Sequence, residues 1–186
     1  MNKALRLIFW GYLFIFFRIQ IGIDLLADPI GYYLIYSGGR LMTKHFHVAK
    51  KVEIVAFIGI LISLPGVFVN LSEAIDVGWM SYTQGLFVWK VIVVYYLLGT
   101  WKSAIQGQGY TLLRDRLKQV YLLYMGVHFA MMLYMAFSFN IGGGSWSSVF
   151  LTISFSVIAM DIALLVLIAA LRKVDWKDPM EIKSSR

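Results

Sequence analysis

Apolar stretches and basic clusters alternate along this chain with a regular period. Fifteen of the seventeen Lys and Arg residues fall into four groups: Lys3/Arg6, Arg40/Lys44/Lys50/Lys51, Lys102/Arg114/Arg116/Lys118 and Arg172/Lys173/Lys177/Lys183/Arg186. Two apolar stretches separate each group from the next. The points halfway between carry acids or no charge: Asp24 and Asp28, then Glu73 and Asp76, then the neutral run 140–148. Positive residues collect on the cytoplasmic side of a membrane, so this period predicts a chain that crosses six times with both termini in the cytoplasm. The predicted fold is all-α, an integral membrane six-helix bundle.

A hydrocarbon core of about 30 Å takes about 20 helical residues. Residues 54–72 are 19 positions without a charge, and residues 119–160 are 42, enough for one span, a turn and most of another. The spans are expected at 4–20, 27–43, 52–71, 84–105, 118–139 and 148–171, followed by a polar cytoplasmic tail at 172–186. Glycines 142–144 mark the turn between the last two, because their backbone entropy disfavours a helix. The second span is the short one: only residues 29–39 lack charge, about 16 Å of helix, so it must borrow flanking turns or tilt. Asp28 and Pro29 suit the start of a helix. Pro65-Gly66 should bend or open the third span. Residues 7–17 have the apolar centre of a signal peptide, but Arg18-Ile19-Gln20-Ile21 offers no cleavage site, so a retained helix is expected.

Hydrophobic residues make up 60% of the chain and charged residues 15%, against about 45–50% and 25% in soluble domains. A soluble fold of this length could not hide that much apolar surface. The net charge of +7 follows from orientation and from anionic lipid headgroups rather than from nucleic acid. Cysteine is absent, which removes disulfides, thiolate catalysis and thiolate metal sites together.

The stretch Asp24-Leu-Leu-Ala-Asp28-Pro29-Ile-Gly31-Tyr32-Tyr-Leu-Ile35, followed by Arg40, resembles a pattern in uncharacterised small multi-pass membrane proteins of Gram-positive bacteria. There an aspartate, two apolar residues, Pro-Asp, an apolar pair and Gly-Tyr open the second helix; here Ala27 stands at the usual proline position and Pro29 follows the second aspartate. The resemblance covers about a dozen residues and implies a multi-pass protein of the bacterial plasma membrane, with no activity attached. In size and basic charge the chain is also similar to the substrate-binding subunits of energy-coupling-factor vitamin transporters. Their Ala-x-x-x-Ala stripe on the first helix is missing from Lys3-Ala4-Leu5-Arg6-Leu7-Ile8.

Ionisable residues inside spans are costly and therefore mark candidate sites. Asp161 has 42 uncharged residues before it and ten after. It lies ten residues from Leu171, and His128 lies ten from Lys118, so both are expected about 15 Å deep and within hydrogen-bonding reach on adjacent helices. The pair reads either as a proton or cation site or as a polar clip that fixes helix packing, worth about 1 kcal/mol. On the same fifth span Tyr121, Tyr124/Met125, His128, Met132 and Met135 share a stripe. Thioether and imidazole groups suit a soft metal such as Cu(I), whereas Met is also a common filler of irregular apolar contacts. Lys90 is placed about six residues inside the outer end of the fourth span, reaching the interface and pairing with Glu73 or Asp76. With Arg18, Asp24 and Asp28 it would form a charged outer vestibule; snorkelling and helix capping explain the same charges without one. Thr152, Ser156, Ala159 and Ala163 form a small-residue stripe on the sixth span, away from Asp161, which would put that helix at the centre of the bundle or at a homodimer surface. Trp10, Trp79, Trp101, Tyr110 and Trp146 are expected as interface anchors, with Trp89 deeper.

No enzyme motif accompanies these residues. His-Glu-x-x-His and the phosphate-binding loop are missing. Gly107-Gln-Gly109 continues to Leu112 where a dinucleotide fingerprint needs Gly. Gly143-Gly-Ser145-Trp-Ser147 does not complete a nucleophile elbow. Asp24 and Asp28 have a spacing that suits a divalent ion or a helix cap. His45 and His47 sit in a basic loop and signal little. No cofactor is implied. The expected partners are the lipid bilayer and another membrane protein or a second copy, and the expected function is a transport or small-solute-binding membrane component. The alternative is a non-catalytic partner or assembly subunit. Transport requires a solvent-connected cavity leading to Asp161; assembly requires a packed interior and an exposed small-residue face.

Overall fold

With few polar partners available along the apolar stretches, the backbone satisfies its own N–H and C=O groups by forming helices. The computed structural model describes residues 1–16, 28–68, 77–106, 110–138, 147–174 and 176. Among the described residues there are no strands. The helices are α1 (Asn2–Phe16), α2 (Asp28–Thr43), α3 (Lys50–Ser63), α4 (Pro65–Phe68), α5 (Val77–Ile105), α6 (Thr111–Ser138) and α7 (Ser147–Leu171), with a 3₁₀ turn at His47–Ala49 before α3. Four segments are long and apolar enough to cross a membrane: His47–Phe68, Gly78–Ile105, Thr111–Phe137 and Ser148–Leu171. The 15 described residues of α1 and the 16 of α2 reach about 22 and 24 Å, less than a full hydrocarbon core.

Two helices start earlier than the charge pattern predicts. α5 begins at Val77 rather than near 84, and α6 at Thr111 rather than near 118. In both cases the extra two turns are polar or weakly apolar, Gly78 to Thr83 and Thr111 to Leu117. Hydropathy marks where a span enters lipid, whereas the helix itself continues beyond that point.

Neighbouring helices pack in chain order: α1 on α2, α2 on α3, α3 on α5, α5 on α6 and α6 on α7, and α7 returns to α1. The helices thus close a ring. On its surface Lys3 and Arg6 line one cavity with Arg172 and Lys173, and Lys51 lines another with Lys102. The outward surface is apolar, with Phe68, Leu112, Leu122, Phe155 and Val166 all exposed. Such a surface suits lipid contact and would be an aggregation liability in water.

The α1–α2 contact is backbone on backbone. A Cβ added to Gly11 would lie 2.5 Å from the Gly31 carbonyl oxygen, and one on Gly31 would lie 2.7 Å from that of Gly11. Close approach of this kind is how small residues hold helices together when lipid supplies no hydrophobic drive. Gly11 precedes Tyr12, so the same approach sets where that ring enters the interior.

Pro65 cannot continue α3, and the helix breaks at Leu64 before the single turn of α4. Tyr82 from α5 occupies the break: its hydroxyl donates to the Ile62 carbonyl at 2.8 Å and accepts from the Gly66 N–H at 3.2 Å. Gly66 would otherwise bond Ile62 directly, so the phenol is inserted into the helix ladder.

Trp101 departs from its expected role as an interface anchor. It is fully buried with Leu97, Leu98, Leu117 and Leu171, because it falls on the inward seam of α5 at spacings of three and four from Leu98 and Leu97. Trp89 sits deep, as its Nε1–H donates to the Val55 carbonyl of α3 at 3.1 Å. The expected Gly142–Gly144 turn and the anchor Trp146 lie outside the described residues, as does most of the polar tail.

Gly11→Ala should lower stability by about 1–3 kcal/mol through overpacking, read as thermal unfolding in detergent micelles. Gly99→Ala should be neutral or stabilising, since nothing lies within 4 Å of a Cβ there. Equal melting of the two variants would show that the α1–α2 approach is not a constraint.

Candidate functional site

The ring closes around five polar side chains drawn from four helices. α6 buries only Leu117, Tyr124 and His128 among residues whose side chains are described. These spacings of seven and four define one inward seam, and two of its three members are polar. Asp161 enters from α7 and is 3% exposed, while His128 is 0% exposed. Tyr12 enters from α1 and is fully buried. Lys90 enters from α5, with its side chain 13% exposed.

Asp161 is the common acceptor. Lys90 Nζ donates to Oδ2 at 2.9 Å, and the Tyr12 hydroxyl donates to Oδ1. The Tyr12 and Tyr124 hydroxyl oxygens are 3.0 Å apart. Since the single hydrogen of Tyr12 goes to Asp161, Tyr124 donates to Tyr12, and a directed chain runs from Tyr124 through Tyr12 to the carboxylate. His128 Nε2 lies 3.3 Å from Asp161 Oδ1, but its orientation makes no hydrogen bond. The imidazole is stacked against Tyr124, with centroids 3.8 Å apart, and faces Phe87 at 5.5 Å on its other flank. Lys90 Nζ also stands 5.2 Å from the Phe87 ring centre.

Lys90 is therefore not at the outer interface. It lies thirteen residues after Val77 and fifteen before Ile105, in the middle of α5. Placing the helix start near 84 had moved it too close to the end. Glu73 and Asp76, its expected partners, fall outside the described residues, as do Arg18 and Asp24. Asp28 is buried at the start of α2. It lines a cavity of about 180 Å³ with Ile15, Tyr32, Thr83, Leu86, Phe87 and Lys90. The cavity thus reaches the Lys90 side of the Lys90–Asp161 pair, while the carboxylate itself stays sealed behind it.

Of the soft-metal stripe, Met125, Met132 and Met135 are half-buried. Both ring nitrogens of His128 face other groups, Nδ1 the Tyr124 carbonyl at 2.9 Å and Nε2 the Asp161 carboxylate. Among the described residues no group of three or more His, Asp or Glu side chains is placed to hold a metal ion.

The small-residue stripe of α7 does not put that helix at the centre. α7 packs on α6 and α1 and leaves Thr152 and Ala159 exposed. The Thr152 and Ser156 hydroxyls donate to the carbonyls four residues back, Ser148 and Thr152, so neither needs an external acceptor.

Tyr12, Tyr124 and Lys90 are the members of the cluster that sequence reasoning did not assign to it, Tyr124 having been placed only on the His128 stripe of its helix. Tyr12 carries no signal in hydropathy, because a tyrosine in an apolar helix reads the same whether its hydroxyl meets water or a carboxylate. For Lys90 a signal existed: it is the sole charge in 77–101, and the sole acid opposite it at mid-depth is Asp161.

No family model, no curated protein and no solved structure matches this chain. The chemistry of the site must therefore be read from its own geometry. A carboxylate, an ammonium, an imidazole and two phenols in contact can bind ions, exchange protons and hold a charged solute at the cavity wall.

Removing either partner of a buried ion pair leaves an uncompensated charge, so Lys90→Met and Asp161→Leu should each cost about 3–5 kcal/mol. The double variant should recover much of that loss. Melting temperature and folded yield in detergent give the cycle, and simple additivity would show that the two side chains are not coupled.

Proposed function

We propose that this chain is a multi-pass protein of the bacterial cell membrane that binds a small solute and serves as a transport component. In this reading it crosses six times with both ends in the cytoplasm. The convergence of Lys3, Arg6, Arg172 and Lys173 on one cavity and of Lys51 and Lys102 on another supports a common basic end. The shorter α1 and α2 complete the spanning set by extending or tilting.

The cavity does not lead to Asp161 itself, and the observation that carries the transport reading is that it ends on Lys90, the ion partner of that carboxylate. A buried ion pair adds little net stability over well-packed apolar side chains of similar volume, so one retained beside a cavity calls for a use beyond stability. Here the pair is retained at the centre of the ring with one flank open to a cavity lined by Asp28, Tyr32 and Thr83. An ammonium at a cavity wall, with its counter-ion behind it, can receive the acidic group of a solute. Asp28 and the aromatic faces of Tyr32 and Phe87 supply a complementary wall. Most ligand sites are built in this way, with an apolar or aromatic lining and a few placed polar groups.

The outward Thr152 and Ala159 of α7 favour a second reading, docking of another membrane helix on that face. The two readings are compatible in one protein, but only the first uses the central cluster.

The chain has no cysteine, so Thr83→Cys introduces a single reporter at the cavity. In intact cells a membrane-impermeant thiol reagent should label it, and Lys90→Met in the same background should change the labelling rate several-fold. A cysteine that reacts only after denaturation would mean a closed interior and would remove the transport reading.

A further inference from the structure

Away from the central cluster, α3, α5 and α6 enclose a further cavity near the start of α3 and the end of α5. It holds about 280 Å³, and its walls include Lys51 of α3, Tyr95, Tyr96, Gly99 and Lys102 of α5 and Tyr121 of α6. No acid lines it. Lys51 and Lys102 also have no ion partner among the described residues. Glu53, the acid on the same turn as Lys51, is taken by Lys50 at 3.1 Å and by the Thr43 hydroxyl at 3.4 Å. Lys51 Nζ stands instead 5.9 Å from the centre of the Tyr96 ring. Two cations facing one cavity repel each other, and an anion between them removes the repulsion.

The shape of the cavity restricts which anion fits. On α5 the positions 88, 92, 95, 99 and 102 recur at spacings of three and four and share one face. Val88, Tyr95 and Lys102 on that face are exposed, with Ile92 half-buried between them. A Cβ at Gly99 would meet nothing within 4 Å, so the face is notched there. Tyr95 and Tyr121 wall the notch, with ring centres 6.0 Å apart. The face therefore runs from an ammonium through an aromatic notch onto an apolar track, and Lys102 lies about 10 Å from Tyr95 along the axis. In a leaflet the headgroup layer is about 5–8 Å thick, with hydrocarbon directly beneath it. A ligand charged at one end and apolar one helical turn or two deeper matches both profiles. This helix is itself long and apolar enough to cross a membrane.

We propose that this cavity binds one anionic phospholipid from the leaflet at the basic end of the bundle. The phosphodiester lies between the Lys51 and Lys102 ammonium groups, which can turn their donors toward it. The glycerol backbone fills the notch over Gly99, where the tyrosine hydroxyls can donate to its ester oxygens, and an acyl chain follows Ile92 and Val88. Basic pockets between membrane helices favour anionic headgroups, and a zwitterionic lipid gains less because it brings its own cation. A soluble phosphate ester would satisfy the lysines but leave the notch and track unfilled. The site shares no lining residue with the cavity at Lys90, so it stands independently of the transport reading. A lipid held there would tie α3, α5 and α6 together at that end.

The test is native mass spectrometry of the full chain released from detergent micelles. It is titrated with phosphatidylglycerol or with phosphatidylcholine of the same acyl chains. The parent should hold its tightest phosphatidylglycerol about tenfold or more better than phosphatidylcholine. Gly99→Leu places a side chain in the notch and changes no charge. The pair Lys51→Gln and Lys102→Gln removes both cations and leaves the notch. Each of these two proteins should carry one phosphatidylglycerol fewer than the parent at equal lipid, and excess glycerol 3-phosphate should not displace the lipid from the parent.

Equal retention of the two lipids by the parent would overturn the proposal. So would a full complement on Gly99→Leu, which would reduce the lysines to a general attraction for anionic surfaces. Displacement by glycerol 3-phosphate would assign the cavity to a soluble ester and sink the lipid site. Gly99→Leu enters open space and replaces a poor helix former, so it should melt no lower than the parent in the same detergent. If it does not fold, the lysine pair is judged against Lys44→Gln with Lys118→Gln, which removes two cations that do not line the cavity and should keep the full complement. Equal loss from both pairs would then decide against the site.

Discussion

A carboxylate shielded from water must have its lone pairs satisfied by the protein, and in this chain that requirement ties the helices together. Asp161 on α7 takes a hydrogen from Tyr12 of α1 and another from Lys90 of α5, and it faces His128 of α6. Four helices that follow one another around a ring are thus joined across its middle by one functional group. Removing water makes each of these interactions stronger and each omission more costly. The arrangement therefore selects one relative placement of α1, α5, α6 and α7 in a way that apolar contacts among Leu, Val and Ile could not. In a bundle whose outside is as apolar as lipid, that selection has few competitors.

The tight α1–α2 contact serves this centre at one remove. Gly11 and Gly31 bring two backbones together, which fixes the position of α1 and sends Tyr12 inward as the next residue. α2 in turn carries Asp28 and Tyr32 to the cavity on the far side of Lys90. The glycines contribute no chemistry, yet the geometry of a hydroxyl on one side and of a carboxylate on the other both follow from their lack of a Cβ. Tyr82 plays a similar part for α3, bridging the break that Pro65 imposes and tying it to α5, the helix that carries Lys90.

The helices were largely legible in the sequence because charge and hydropathy are read one residue at a time. Counting inward from Lys118 and Leu171 put His128 and Asp161 at a common depth, and the two are 3.3 Å apart. The count was sound because both were measured from the basic end, where the charges stop abruptly. It failed for Lys90, which was measured from the opposite end, where α5 runs on through Gly78 to Thr83 without a change that hydropathy can see. Tyr12 and the buried face of Trp101 were illegible for a different reason. An aromatic residue on a membrane helix is equally at home facing lipid, headgroup or core, and only the neighbouring helix decides.

The charge count of the cluster limits how it can behave. One Lys and one Asp balance, and the two phenols and the imidazole stacked on Tyr124 pack around them. The Lys90 stem also lines the cavity that Asp28 lines from α2, so one flank of the pair is polar space rather than packed side chain. With Arg at position 90 a planar fork would claim both carboxylate oxygens, one of which Tyr12 occupies here. The ammonium on its four methylenes meets Oδ2 alone and leaves Oδ1 to the phenol chain, which is what lets one carboxylate draw on so many helices.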